Sequence, residues 1–274
     1  MLDANQLINN LKSQYYKKGY KIDELPEIKA VYDLLERSNL PKGNFLMQLQ
    51  NLIILKQENI DNTAAGYNPK TNTITYTNDI DLIHELFHMA STENEGKTCG
   101  ITQYVNGIVQ DEDETQIKVR YGLDEGITDM FAEMANSNVP CGYPFERMCA
   151  EMLRNIFGLQ IFKGYFENSY DKFLKDFPEE VQEHVEDLVS TLDEYQDLTK
   201  LIYSGDSTIE DVTSLEELTE YIMETLTEIA VTMGKEKSEV MTFFTEKAND
   251  SSMQSIRDLV KFDNAIQNIS SKGL

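Results

Sequence analysis

The stretch DLIHELFHMA, residues 81–90, places two of the three histidines of the chain four positions apart in an otherwise apolar segment. If this segment is a helix, His84 and His88 lie on the same side, about 6 Å apart, and can bind one metal ion. Glu85 then lies beside the metal without having to bind it. The spacing is typical of an HExxH site, in which two histidines bind zinc and the glutamate acts as a general base.

The alternative is a pair of core histidines that are satisfied by hydrogen bonds. On a helix over residues 79–91, apolar side chains cover most of the circumference, so the helix is expected to be buried. Its narrow polar stripe consists of Asp81, His84, His88 and Ser91, with Glu85 at the edge. Because HExxH rarely arises by chance in a chain so poor in histidine, the metal-binding interpretation is favoured.

A catalytic zinc ion needs a third protein ligand and an open position for water. The metzincin continuation HxxGxxH requires glycine at position 91 and histidine at position 94, but the chain has Ser91 and Asn94, which excludes that class. The remaining histidine, His184, lies in an acidic, exposed-looking helical segment, PEEVQEHVEDL, and is a weak candidate.

The segment GLDEGITDMFAEM, residues 122–134, offers a better third ligand. On a helix, Glu125 and Asp129 share one face. The opposite face is apolar and consists of Ile127, Met130, Phe131 and Met134. We expect Glu125 to bind the metal and Asp129 to accept a hydrogen bond from the free ring N–H of a ligand histidine. The alternative, a solvated surface carboxylate, applies best to Asp124, which is expected to be the N-cap of this helix.

A donor that stabilises the oxyanion of a tetrahedral intermediate is also needed. Tyr143, in CGYPFERM just after the Glu125 helix, is the first candidate. Arg147, Tyr170 and His184 are further candidates. Because the chain has 14 tyrosines, no single one stands out by its type alone.

HELFH followed by DEGITD resembles the gluzincin metallopeptidases, the thermolysin-like group, in which HExxH precedes a helix reading roughly N-E-x-x-x-D. The resemblance spans about residues 66–136. It implies a zinc-ligand set of His84, His88 and Glu125. It further implies Glu85 as the general base and Asp129 as the partner of a ligand histidine. The strand at 73–77 would then border the cleft and pair with an extended peptide substrate.

The chain departs from this group at several points. The stretch from His88 to Glu125 is longer than in thermolysin and holds the predicted hairpin region. Position 124 is Asp rather than Asn, and position 126 is Gly rather than Ala. The C-terminal domain of thermolysin has no match in this chain, so its transition-state-stabilising residues are not carried over.

The elements expected to position these residues begin with a strand. Thr73 to Thr77 is β-branched and alternating, follows the Asn68-Pro69 turn signal, and is predicted to be a strand at a sheet edge. Asn78 or Asp79 is expected to cap the helix beyond it. Residues 97–122 predict one or two hairpins, with a tight turn at Asn106-Gly107.

Most of the remaining sequence predicts helices. Residues 1–57 are expected to form helices broken near Pro26 and Pro41. Later helices are predicted over 143–158, 160–175, 178–203, 214–233, 235–248 and 252–269. The predicted class is α+β, predominantly α and zincin-like. A metallopeptidase core over residues 1–175 is followed by a helical C-terminal lobe over 176–274.

Composition limits the partners and the compartment. The net charge of −24 argues against nucleic acid and anionic membrane, and favours a solubility role or a preference for basic peptide substrates. No apolar run is long enough for a transmembrane helix, and no secretory signal is recognisable at the N-terminus. The three cysteines, Cys99, Cys141 and Cys149, lack metal-type spacing and are expected to be free thiols. These features predict a cytoplasmic protein.

The sequence therefore predicts a zinc-dependent endopeptidase that acts on a peptide or protein substrate, with Zn²⁺ as cofactor. One alternative is a narrowly specific protease that acts on one regulator or host protein. Another is a catalytically inactive zinc-binding interaction module. Retention of Glu85 argues against that module, and structural zinc sites usually close the fourth position with Cys or His, neither of which lies nearby in sequence.

Overall fold

A computed structural model of the 274-residue chain describes residues 6, 9, 10, 26–56, 65–78, 81–93, 98–106 and 116–272. Most of these residues are helical, and two small three-stranded sheets lie in the first half of the chain. The predicted α+β class with a predominance of helix is therefore confirmed.

The order of elements alternates at first between helices and strands. This part contains α1 (Pro26–Arg37), α2 (Gly43–Gln48), β1 (Ile53–Lys56), β2 (Gly66–Asn68), β3 (Thr73–Tyr76), α3 (Leu82–Ala90), β4 (Thr98–Cys99), β5 (Thr102–Asn106) and β6 (Gln116–Val119). Helices follow as α4 (Tyr121–Ala135), α5 (Pro144–Phe157), a 3-10 helix (Leu159–Phe162), α6 (Lys163–Phe166), α7 (Tyr170–Lys175), α8 (Glu179–Ser204), α9 (Ile209–Thr232), α10 (Lys237–Ala248), a 3-10 helix (Ser251–Met253), α11 (Gln254–Leu259) and α12 (Phe262–Ser271).

The helices after Pro140 lie close to their predicted bounds, with two exceptions. The predicted helix over 160–175 is interrupted near Asn168, and the one over 252–269 is interrupted at Lys261. Both residues have a positive φ, 55° and 47° respectively, which an α-helix cannot accommodate. Apolar periodicity continues across both breaks, so the sequence pattern alone did not reveal them.

Strand β3 is the central strand of its sheet, so the prediction of an edge strand before the HExxH helix was wrong. It pairs in parallel with β1, from Ile53 opposite Thr73, and antiparallel with β2, from Asn68 opposite Thr73. The sheet order is β1-β3-β2. A β-branched alternating strand suits either position, and β1 lies in a segment that was expected to be helical.

The second sheet has the order β4-β5-β6. Strands β4 and β5 are antiparallel, with Thr98 opposite Gln103, so hairpin structure is present in the predicted region. Asn106 ends β5, and Gly107 of the expected tight turn lies outside the described residues.

Helix α3 is buried over nearly its whole circumference, as its composition predicts. The buried apolar residues are Leu82, Ile83, Leu86, Phe87, Met89 and Ala90. They pack against α1, α2 and the strands β2 and β3. The N-cap is Asp81 rather than Asn78, whose side chain instead contacts the Asp81 carboxylate at 3.4 Å; Asp79 lies outside the described residues.

Helix α4 begins at Tyr121, so the prediction of Asp124 as its N-cap was wrong. The carboxylate of Asp193, on α8, accepts hydrogen bonds from the backbone N–H groups of Arg120 and Gly122, the latter at 2.8 Å. A carboxylate from a distant part of the chain thus satisfies N–H groups at the helix start. Asp124 lies inside the first turn and is buried.

The chain forms two compact units. The first takes residues 1–117, 128–140 and 159–176, and the second takes 118–127, 141–158 and 177–274. Helix α4 is continuous and contributes residues to both. The sequence placed a single division after residue 175, close to one of these boundaries, but the second unit also includes two earlier segments.

Two further features complete the fold. Over the part of the chain that the structure describes, no helix combines the length and the apolar character needed to cross a membrane. Cys99, Cys141 and Cys149 are all free, as predicted from their number and spacing.

Candidate metal centre

His84 is held by a buried carboxylate. Its Nδ1 atom lies 2.7 Å from Oδ1 of Asp129, whose exposed fraction is 3%. A contact this short to a carboxylate assigns the ring proton to Nδ1, which donates to Asp129. The other ring nitrogen, Nε2, is then left with its lone pair available for a metal.

The two histidines of α3 direct the same ring nitrogen to one point. Nε2 of His84 lies 3.0 Å from Nε2 of His88, and the two rings are inclined at 71°. A zinc ion at about 2.0–2.1 Å from each nitrogen in tetrahedral geometry would separate them by about 3.3 Å. The observed separation is close to that value, so the pair fits a shared metal ion.

Glu125 lies close to the two histidines. One ligand atom each from His84, His88 and Glu125 all lie within 4.8 Å of one another. Glu125 is half-buried and comes one turn before Asp129 on α4. Two imidazoles and one carboxylate form a donor set that catalytic zinc sites use. The three side chains therefore fit a Zn²⁺ ion.

Glu85 is buried although it carries a carboxylate. Only 7% of it is exposed, and it follows His84 directly on α3. A carboxylate that directly follows a candidate ligand on a helix, but is outside the ligand set, matches the general-base position of the HExxH pattern. The role of Glu85 as a general base stays a prediction.

The surroundings of the second ring nitrogen, Nδ1, differ between His88 and His84. Its Nδ1 atom lies 3.5 Å from Oγ1 of Thr128 and 3.6 Å from Sγ of Cys99, so the neighbours are a hydroxyl and a thiol. Thr128 also contacts the hydroxyl of Tyr165 at 2.7 Å. The sequence did not indicate these three residues, because each is distant from His88 along the chain and of a type common in cores.

The backbone carbonyl of His88 is also heavily bonded. It accepts hydrogen bonds from Oγ of Ser91 at 3.0 Å, from Oγ1 of Thr92 at 2.8 Å and from Sγ of Cys99 at 3.1 Å. Carbonyls in the last turn of a helix lack intrahelical donors, and side chains commonly replace them. These bonds fix the end of α3 that carries His88.

A second group of potential ligands consists of His88, Cys99 and Asp124, whose ligand atoms also lie within 4.8 Å of one another. This group shares His88 with the first group. Cys99 and Asp124 are both buried. The sequence had assigned Cys99 to the free thiols and Asp124 to a helix cap, because neither stands at a recognisable ligand spacing.

The remaining predicted residues lie on α5 and α8. Tyr143 is half-buried at the N-cap of α5, and its carbonyl accepts from the N–H of Arg147 at 2.8 Å. Arg147 is buried and bonds Ser252 at 3.1 Å, which gives it a structural role. His184 lies beside Glu228 at 3.5 Å on a partly exposed face. A role for Tyr143 at the oxyanion stays a prediction.

Comparison with known proteins adds no relative: no protein-family model, curated protein or solved structure matches the chain. The chemistry of the site is therefore inferred from its own residues. Two imidazole nitrogens and a carboxylate converge, a carboxylate fixes one imidazole, and a buried glutamate lies beside them. Such an arrangement can bind a divalent metal ion and move a proton next to it.

Proposed function

We propose that the chain is a zinc-dependent endopeptidase of the gluzincin type. The observation that carries the proposal is the convergence of His84, His88 and Glu125. The resemblance of HELFH and DEGITD to that group supports the same ligand set. Zn²⁺ at this position would supply Lewis-acid chemistry, polarising a peptide carbonyl and lowering the pKa of water.

Glu85 is the proposed general base. The water that attacks the peptide carbonyl must lose a proton as its oxygen bonds to carbon, and the Glu85 carboxylate accepts that proton. When the carbon–nitrogen bond breaks, Glu85 passes the proton to the leaving amine and returns to its ionised form. Its position directly after His84 on a buried helix supports this role.

Asp129 has the proposed role of orienting His84. By accepting the Nδ1 proton it fixes the tautomer that presents Nε2 to the metal, and it makes the imidazole more basic. Helix α3 is packed on helices and strands, so the two histidines are carried by a rigid element. A rigid ligand frame limits the reorganisation needed for binding.

The resemblance implies that a peptide substrate pairs with the strand at 73–77, and this part of the proposal has to be modified. A peptide cannot add to β3, because both of its edges are already paired. The outer strands of the described sheet are β1 and β2, and α3 packs against β2. We therefore place an extended substrate, as part of this proposal, at an element other than β3.

An inactive zinc-binding module is the alternative from another class, and one observation favours it. Cys99 lies near His88, although it was not near in sequence, and structural zinc sites often include cysteine. Its sulfur, however, faces Nδ1 of His88, whereas His84 faces Nε2. These two nitrogens point in different directions, so Cys99 does not close the position between the Nε2 atoms.

An unbiased peptide-library assay on the zinc-loaded full chain tests the proposal. The wild type is expected to cut a subset of peptides, and a restricted subset would indicate the narrowly specific protease. Glu85→Gln keeps the shape but removes the base, so we expect a loss on the order of a thousandfold in rate, with the fold and zinc retained. Undiminished cleavage by this variant would show that the mechanism is wrong.

Glu151→Gln is the matched control. Glu151 is also a buried glutamate, but it pairs with Lys247 and lies near Arg147 on α5. Its loss is expected to lower the stability and to leave the cleavage rate of the folded protein unchanged. Equal loss of cleavage in both variants would indicate a general effect of removing a buried charge.

A further inference from the structure

The two histidines of the site have different neighbours at Nδ1. The Nδ1 atom of His84 faces the carboxylate of Asp129 at 2.7 Å, whereas Nδ1 of His88 faces the neutral Oγ1 of Thr128 at 3.5 Å. Metal-binding histidines almost always donate their second ring N–H to a fixed acceptor. A group that accepts a hydrogen bond from Nδ1 of His88 is therefore part of the centre.

Thr128 is itself held in place by a second hydroxyl. It is fully buried on α4, and its hydroxyl lies 2.7 Å from the hydroxyl of Tyr165, which is also fully buried. A hydroxyl has one proton and two acceptor sites. Thr128 can thus accept the proton of His88 Nδ1 and still share a second hydrogen bond with Tyr165.

Tyr165 is anchored by aromatic packing. Its ring lies 4.9 Å from the ring of Phe166 and 6.5 Å from that of Phe131, which in turn packs against Phe87 of α3 at 5.8 Å. The aromatic cluster joins α3, α4 and α6. Because the ring is held on several sides, the tyrosine hydroxyl has a defined position.

The backbone around Tyr165 is equally constrained. Gly164 lies against the backbone of Phe173 so closely that a Cβ atom would overlap it, and its N–H donates to Asp176 at 3.0 Å. Asn168 donates to the carbonyl of Ser91, just after α3, at 2.7 Å. The segment over 159–176 is therefore tied to the end of the helix that carries His88.

We propose that Thr128 and Tyr165 form a hydroxyl relay that orients the imidazole of His88, and that Tyr165 is a positioning residue of the metal centre. The inference rests on the proposed function, since it concerns how that centre binds its metal. The relay fixes the tautomer with the proton on Nδ1 and keeps Nε2 directed toward His84.

A purely structural hydroxyl pair would look similar in the fold but would behave differently. Loss of a buried hydrogen bond in an ordinary core changes the stability of the apoprotein. Loss of a relay also changes the affinity for the metal, because the ring of His88 is no longer held. Metal affinity is therefore the readout that separates the two roles.

The experiment compares variants of the full chain by competition between protein and a chelator for Zn²⁺ at fixed pH. Thr128→Val removes the hydroxyl at nearly constant volume, and we expect about 10–100-fold weaker binding. Tyr165→Phe keeps the packed ring and is expected to weaken binding less, in the same direction. Thr128→Ser keeps a hydroxyl and is expected to restore affinity close to the wild-type value.

Two controls remove buried hydroxyls elsewhere. Thr219→Val acts on a fully buried threonine of α9 that bonds the carbonyl of Leu215, and Tyr195→Phe acts on a fully buried tyrosine of α8. Both are expected to leave the Zn²⁺ affinity unchanged. Thermal unfolding of the apoproteins reports whether each variant is folded. The absorption spectrum of Co²⁺-loaded protein reports a change in ligand geometry.

The outcomes separate the relay from the proposed function. If wild type binds Zn²⁺ and His84→Ala does not, but Thr128→Val and Tyr165→Phe bind as tightly as wild type, the relay is overturned and the metal centre stands. If the wild type itself binds no Zn²⁺, the proposed function fails. Should Thr128→Val not fold, the milder Tyr165→Phe decides, since unchanged affinity there overturns the relay.

Discussion

The helix pairs α3–α4 and α8–α9 bury polar side chains in opposite ways. In α3–α4 the buried set includes the carboxylates Glu85, Asp124 and Asp129. In α8–α9 the buried polar residues carry no charge, and consist of Thr191, Gln196, Thr219, Thr225 and Thr227. Burying a carboxylate is much less favourable than burying a hydroxyl, so its repeated occurrence in one region requires a reason.

The threonines of the two regions also differ in their partners. Thr219 and Thr227 of α9 each donate to the carbonyl four residues earlier in the same helix, both at 2.7 Å. Thr128 of α4 contacts two other elements, through Tyr165 and His88. A hydroxyl bonded within its own helix supports that helix, whereas one bonded to other elements fixes their relative position.

None of the charged residues of α8–α9 is fully buried, and several form contacts at the surface. Lys272 pairs with Glu220 and Glu224, and the hydroxyl of Tyr221 donates to Asp187 at 2.6 Å. Exposed pairs of this kind contribute little to stability. The comparison teaches that charge density alone does not mark a functional region. In α3–α4, by contrast, a buried carboxylate contacts a histidine at the proposed metal centre.

The largest expected effect is the loss of metal from the α3–α4 region. Zinc is expected near one equivalent in wild type purified without chelator, and His84→Ala and Glu125→Ala are expected to lose it because three ligands become two. His184→Ala is the control, since this histidine lies on α8 and faces Glu228 of α9. Elemental analysis measures the content. Full retention in both ligand variants would refute the ligand set and, with it, the functional contrast between the regions.

A large effect on stability is expected where α4 approaches α5. A Cβ atom at Gly126 would overlap the backbone carbonyl of Glu146, which cannot rotate away as a side chain would. Alanine is intrinsically the better helix former. We nevertheless expect Gly126→Ala to destabilise the fold, toward the upper end of the roughly 1–3 kcal/mol typical of overpacking.

Gly43→Ala is the control for this substitution, because a Cβ atom there meets nothing within 4 Å. It is expected to be neutral or slightly stabilising. Denaturant unfolding of both variants measures the difference. Equal stabilities would mean that α4 does not approach α5 as closely as described.

An intermediate effect is expected for Asp129→Ala. The variant should fold and bind zinc at high metal concentration, with affinity lowered about 10–100-fold because His84 loses its acceptor. Glu133→Ala is the control, an acidic residue one turn later on α4 that is half-buried. Zinc titration in the presence of a chelator distinguishes them. Identical titrations would show that Asp129 acts only as one more negative charge.

The smallest expected effect concerns the contact between the Asp193 carboxylate of α8 and the start of α4. Asp193→Ala leaves the N–H groups of Arg120 and Gly122 without their acceptor, which should lower the free energy of unfolding by about 0.5–2 kcal/mol. Asp211→Ala removes the exposed carboxylate of the capping box of α9, where water can replace it, and is expected to have the smaller effect. Thermal unfolding of both variants measures the two effects. A larger effect for Asp211 would mean that local caps outweigh the contact from α8.

Several features followed from the sequence because they depend on neighbours along the chain. The spacing of His84, Glu85 and His88 predicted which side chains share a face, and apolar periodicity predicted a buried α3. The same periodicity placed α8 over nearly its observed length. The position of Asp129 one turn after Glu125 predicted that both would face the same way. These inferences need only the geometry of a helix.

Other features were decided by contacts between distant parts of the chain. Strand β3 became central because segments at 53–56 and 66–68 pair with its two edges. Helix α4 begins at Tyr121 because Asp193 accepts its first N–H groups. Periodicity within a segment fixes which side chains share a face, but not which partner that face meets. The hydroxyl that faces His88 therefore depends on the tertiary packing of α3, α4 and α6.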